Sequence, residues 1–432
     1  MIKRILVGCI TISTLVGCTN ANQDINKMSG SIDAAAIVAD SKSTPADKAE
    51  RLARSAEQLL SYQGFAYASD IAEAALELDP NNLRAKLVKA IVAPLMAHKG
   101  IIARVAPLAA KNQKAKEAYD KYLADLDTTV ANSTLKAFLL DGQPDINSEA
   151  DLQAYFDSAA EGFAALRIFA KENKDQTIRI MSTDAMFQTL GDRFSNLCVV
   201  TQTGYWQYEY NCPSPTHALE IEFSRADFEA LQQMAAGNEL YLSMYNSYDI
   251  AGTIDVALSH EGQAANLSAQ TVLEEVLKDP KFGQLRAGNG FQKIRSLGVD
   301  AISAIRWMMA NQSSLCPMGL SSPRNRVGSL IDKGFCITSK AAVTTARDLK
   351  KIEGALAGDK VQVLFYDQKG VPYRTDMSAA IIDRPVADLH LLAPVSIGKC
   401  GYVNSIADET GGGLFPNKDA NKVLKMSSRC PN

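Results

Sequence analysis

Few residues in this chain have the types and spacing that chemistry needs. Asp388 and His390 stand two apart, and on a strand such a pair shares one face, where a carboxylate can orient an imidazole for acid–base work. An ordinary structural ion pair has the same spacing. Ser259-His260-Glu261 sets a hydroxyl, an imidazole and a carboxylate side by side, but adjacent side chains point in different directions, so this spelling is not a triad. His98 and His217 read as surface or helix-end residues. Gly-x-Ser-x-Gly, Gly-x4-Gly-Lys-Ser/Thr and His-Glu-x-x-His are missing from the sequence. No catalytic residue and no cofactor are expected.

Metal chemistry fares no better. The chain has only four His and no Cys-x-x-Cys, so no metal site is assigned. Asp408, Glu409, Asn417 and Asp419 surround Gly411-Gly412-Gly413 and offer oxygens to calcium, but their spacing departs from a calcium loop and reads as a flexible loop. The basic run Arg347 to Lys351 reads as a solvated helix face.

Two other groups have chemical potential. Trp206, Tyr208 and Tyr210 point one way if they lie on a strand, as a grip for an extended peptide or a platform for sugars. Packed onto a helix, the same three would be routine hairpin stabilisation. Cys198, Cys212, Cys316, Cys336, Cys400 and Cys430 are even in number and lie past the helical part, which in an oxidising compartment allows up to three disulfides. Pairing neighbours (198 with 212, 316 with 336, 400 with 430) closes the shortest loops. The first pair has a difficulty: a tight turn at Thr203-Gly204 places Cys198 opposite Glu209. Bridging then needs the chain to curl back at Cys212-Pro213 to bring the Cα atoms within about 7 Å.

The oxidising compartment is argued from the start of the chain. Lys3 and Arg4 precede an apolar run, Ile5 to Val16, that is shorter than the ~20 residues of a membrane-spanning helix and fits a secretory leader. Leu15-Val16-Gly17-Cys18 then resembles the lipobox of bacterial lipoproteins. That resemblance implies acylation of the Cys18 sulfur and cleavage just before it. A second Leu-Val-Gly-Cys ends at Cys9, too near the start for any apolar segment to precede it. Thr19 stands where Asp would resemble an inner-membrane retention signal, so the resemblance implies the outer membrane. Residues 19 to 31 are polar and read as a tether. With acyl chains as the anchor no further span is needed, and none of about 18 residues is expected downstream.

The elements that must position these groups come in two styles. Of the 432 residues 47% are apolar and 22% charged, which excludes wholesale disorder, and a net charge of −3 excludes nucleic-acid binding as the main task. From Thr44 to about Leu140 the apolar spacing is helical: 46, 49, 52, 53, 56, 59 and 60, then Phe65, Ala68, Ile71, Ala72, Ala75 and Leu76. Ala68, Ala75 and Pro80, with Ala56 and Leu59 before them, resemble a tetratricopeptide repeat. Leu52 and Ala72 depart from its aromatic positions, and one period later Lys114 stands where proline belongs. The resemblance covers about Ala46 to Ala115. Pro94, Gly100 and Pro107 are expected to break or kink the helical segments in which they fall. Ser148 to Asp151 starts a long helix with Leu152, Phe156, Ala159, Phe163, Leu166 and Phe169 along one side.

After Lys174 the period becomes two. Strands are expected at Leu197 to Thr201, Tyr205 to Tyr210, Leu219 to Phe223 and Val361 to Phe365. Between them lie a helix capped by Ser224 and ending at Gly237, and another from Val299 to Met309. The expected class is α+β, with a TPR-like helical-hairpin region followed by a mixed, disulfide-containing α+β region. The expected segments are a signal peptide over 1–17, anchor and tether over 18–43, the helical domain over 44–173 and the α+β domain over 174–432. The expected role is a non-enzymatic scaffold or assembly factor of the cell envelope. It would be lipid-anchored in the outer membrane, facing the periplasm or the cell surface, and would bind a protein or peptide rather than nucleic acid. The oligomeric state is left open. The alternatives are a hydrolase or carbohydrate-active enzyme built on the α+β part, and a surface adhesin.

Overall fold

The computed structural model describes residues 34–129, 133–181, 199–204, 207–211, 220–259, 274–288, 290–311, 339–357, 362–366, 372–376, 385–397 and 403–427. The leader, all eight cysteines, Trp206, His217 and His260 lie outside the described residues, as do the side chains of Tyr208 and Tyr210. Within them the chain is helix-rich with some sheet.

The first helices are α1 (Ala34–Ala39), α2 (Pro45–Gln58), α3 (Phe65–Leu78) and α4 (Leu83–Ala97). Thr44 starts α2: its side chain accepts from Asp47 N–H at 3.1 Å and the Asp47 carboxylate accepts from Thr44 N–H at 3.3 Å, a reciprocal capping box. Asn82 caps α4 by accepting from Ala85 N–H at 2.9 Å. Helices α2, α3 and α4 pack on one another. Their contact faces carry Ala49, Leu52, Ala53, Ala56, Ala68, Ala72 and Ala75, all fully buried. Short side chains there let the helix backbones approach.

Next come α5 (Ile101–Arg104), α6 (Ala106–Ala110), α7 (Gln113–Thr129), α8 (Ser133–Leu140) and the long α9 (Glu149–Asn173). Pro94 does not break α4 but sits inside it. The break falls at Gly100, whose φ of +68° is the left-handed conformation that glycine tolerates. Leu83–Ala110 has the length and apolar composition of a membrane span, contrary to the expectation that none lies beyond the leader; in the structure it is divided among α4, α5 and α6. Helix α9 runs as expected, with Asp151 N–H donating to Ser148 Oγ at 3.2 Å and the predicted apolar side buried.

Beyond it, β1 (Ile178–Met181), which the sequence reading missed, pairs antiparallel with β4 (Glu220–Phe223). Hairpin β2 (Val199–Gly204)–β3 (Gln207–Asn211) is where the period predicted it, but Thr203 and Gly204 belong to strand β2 rather than to its turn. Thr201 pairs with Glu209 and Val199 with Asn211, so Glu209 does not face position 198. Helix α10 (Arg225–Tyr245) begins after Ser224 and does not end at Gly237; it runs through to Tyr245. One glycine inside a helix costs only ~1 kcal/mol, too little to stop 21 residues with a buried face. The remaining elements are α11 (Thr253–Ser259), α12 (Phe291–Ala310), α13 (Ser339–Ala357), the hairpins β5 (Gln362–Tyr366)–β6 (Pro372–Asp376) and β7 (Pro394–Ile397)–β8 (Val403–Ile406), and α14 (Ala420–Ser427). Arg347, Lys350 and Lys351 are exposed on α13, as the charge run suggested.

The described residues group into two compact units. The first draws on Met1–Asn147, Ser158–Glu239 and Ala304–Arg347; the second on Ser148–Asp157, Leu240–Ser303 and Asp348–Asn432. In the second unit a polar cluster joins α9, α10 and the loops around 247 and 290. Asn246 donates to Gln153 O at 2.8 Å and to Asp157 at 2.5 Å, Arg286 donates to Asn246 O at 2.9 Å, and Ser247 Oγ accepts from Gly290 N–H at 3.0 Å. These bonds are what make the buried polar groups of Gln153, Asn246 and Ser247 tolerable.

Candidate functional site

The Asp388–His390 pair is in the second unit, but not on a strand. Asp388 caps a short 3₁₀ turn, Leu389–Leu392, and its carboxylate accepts from His390 N–H at 2.8 Å. The same oxygen lies 2.6 Å from His390 Nδ1, and Nε2 lies 3.1 Å from Leu277 O. A carboxylate and a carbonyl both only accept, so this environment favours the imidazolium, which donates from both nitrogens. An imidazolium has no lone pair with which to take a proton. The expectation of a shared strand face fails because the turn folds the pair onto itself and spends both ring nitrogens. Through its bond to Asp388 and against its own burial, His390 is held above the usual 6.5; burial pushes Asp388 up, but its bonds to His390 and Gln284 outweigh this and hold it below 3.8. A raised imidazole stabilises fully below 6.5 and loses that contribution as pH rises through its folded value. A depressed carboxyl loses its contribution as pH falls from 3.8. In an NMR titration His390 should therefore reach its midpoint above 6.5, and Asp388→Asn should bring it back toward 6.5. An unchanged midpoint in that variant would remove the carboxylate from the account.

The other candidates are also spent locally. The Asp408 carboxylate accepts from Thr410 N–H, Thr410 Oγ and Gly412 N–H at 2.6–2.9 Å, holding the three-glycine loop in a set shape with its calcium-type oxygen already engaged. No group of three His, Cys, Asp or Glu side chains placed for a metal occurs among the described residues. His98 does end α4, but it is buried rather than at the surface, and burial pushes its imidazole down to about 4.

The structure instead opens a cleft of about 450 Å³ in the first unit, lined by Arg54, Arg84, Thr177, Arg179, Ile180 and Met181. Arg54 comes from α2, Arg84 from α4, and the remainder from β1 and the residue before it. Carboxylates outside the lining hold the arginines in place. Glu50 accepts from Arg54 Nε at 2.9 Å and from Arg84 Nε at 3.1 Å. Glu57 accepts from Arg84 Nη1 and from Met181 N–H, tying the end of β1 to α2. Glu222, directly across the ladder, accepts from Arg179 Nη2 at 3.1 Å. The Glu57 side chain is only 3% exposed. Its burial pushes the carboxyl above the usual 4.5 despite the bonds from Met181 and Arg84.

Sequence reasoning passed over these residues. Glu50 and Arg54 look like a solvated i,i+4 pair. Glu57, however, falls four after Ala53 and three before Leu60, on the buried side of α2. An acid placed among core positions demands a partner from elsewhere, and that signal was available. Comparison with family models, curated proteins and solved structures finds no match. No relative therefore assigns the cleft a role.

Proposed function

We propose that the chain is a lipoprotein anchored in the outer membrane at Cys18, acting as a non-enzymatic protein-binding scaffold or assembly factor of the cell envelope. The observation that carries this reading is Leu15-Val16-Gly17-Cys18 behind a short basic and apolar leader. Two further observations support it. The small buried residues between α2, α3 and α4 suit TPR-like stacking. The ring nitrogens of His390 are already engaged, which weakens the hydrolase alternative.

Intact-mass and peptide mapping of the protein purified from bacterial membranes tests the reading. The expected result is a chain beginning at an acylated Cys18 with 198 bridged to 212. A retained leader with free thiols overturns it. Shaving intact cells with protease decides the face: protection places the body in the periplasm, and cleavage places it outside.

A further inference from the structure

We infer that the cleft between α2, α4 and β1 binds a carboxylate-rich segment of a partner protein, an inference that rests on the scaffold reading and gives it a ligand class. Three arginines line one hollow, and none of its lining residues is acidic. Arg84 is the fixed member. Its side chain is 14% exposed, and Glu50 and Glu57 hold it through Nε and Nη1, leaving Nη2 with no bond to another described residue. Arg54 is hydrogen-bonded through Nε alone, so its two terminal nitrogens donate to no described residue, although its charge also acts on Glu57. Held at Nε, Arg54 keeps its Nη1/Nη2 end as a fork for a carboxylate, and Arg84 adds the single donor Nη2.

The rest of the lining favours a peptide over an inorganic ion. The exposed Met181 gives the hollow apolar surface beside its charges, and about 450 Å³ falls in the ~300–1,000 Å³ range of organic ligand sites. The three positive charges are balanced by Glu50, Glu57 and Glu222. Attraction is therefore local and short-ranged, and binding should weaken as salt screens it.

The test titrates the full chain with a short fluorescein-labelled peptide alternating Glu and Leu, and with its Gln counterpart, by fluorescence anisotropy. Arg54 and Arg179 are 61% and 64% exposed, so Arg54→Gln with Arg179→Gln should fold normally. The acidic peptide is expected to bind saturably, the Gln peptide not, and the double variant to lose about tenfold in affinity, ~1.4 kcal/mol. Met181→Glu, which adds a like charge without touching an arginine, should weaken the acidic peptide as well. Undiminished binding in both variants overturns the proposal. So does equal binding of the Gln peptide, or complete displacement by inorganic phosphate at concentrations equal to the peptide's. Failure here leaves acylated Cys18 untouched, whereas an unacylated chain that still binds the acidic peptide through the arginines sinks the membrane anchoring alone.

Discussion

Arg84→Met should destabilise the first unit by about 3–5 kcal/mol, the usual result of stripping one partner from a buried ion pair. Glu57 is the reason. It is almost fully buried, its carboxyl is already pushed up by desolvation, and Arg84 is its counter-ion across the α2–α4 contact. Without Arg84 it must protonate, which weakens its hold on Met181 N–H, or remain a buried charge with only the more distant attraction of Arg54. The double variant E57Q/R84M should recover much of the loss, because a glutamine oxygen still accepts from Met181 and no buried charge remains. Arg54→Met is the matched control, since its pair with Glu50 is exposed and worth at most ~1 kcal/mol. Urea midpoints followed by circular dichroism give the comparison. Equal losses for Arg84→Met and Arg54→Met would show that Glu57 does not depend on Arg84.

Gly100→Val should cost about 2–5 kcal/mol, combining the left-handed backbone penalty with steric overlap. Gly100 opens α5 at φ +68°, and a Cβ there would lie 2.3 Å from Gly142 Cα and 2.5 Å from Gly142 N. The opposition is mutual, because a Cβ on Gly142 would lie 2.7 Å from Gly100 Cα. Both atoms are backbone, so no side chain can swing aside. Around this crossing Gly100 N–H donates to Phe138 O at 2.9 Å and Ile146 N–H to Arg104 O at 3.0 Å, while Arg104 bridges to Asp145. Gly288→Val separates the two contributions: its φ is +73°, but a Cβ there meets nothing within 4 Å. It should therefore lose only the backbone part, ~1–2 kcal/mol. If both variants lose equally, the crossing is not tight.

The features legible in the sequence alone share a physical origin. Helix starts at Thr44, Ser148 and Ser224 were visible because a cap is a local arrangement of a few residues. Strand β5 and the buried side of α9 were visible because apolar residues recur with the period of a strand or a helix. Gly237 misled for the opposite reason: a local stop signal of ~1 kcal/mol was outweighed by burial along the whole of α10. The leader and its cysteine are legible as plain text, and they motivate the proposed location.

The tertiary structure decided where distant groups meet. Arg54, Arg84 and Arg179 span 125 positions of chain and share one cleft only because β1 pairs with β4 and Glu57 fastens it to α2. Asp388 and His390 stand two residues apart, yet their chemistry turned on Leu277, more than a hundred residues earlier, whose carbonyl takes the second ring nitrogen. Backbone propensity and periodicity are summed over neighbours in the chain, so the sequence determines them. The charge state and free valence of a side chain depend on whatever atoms surround it in space, and folding alone brings those atoms together.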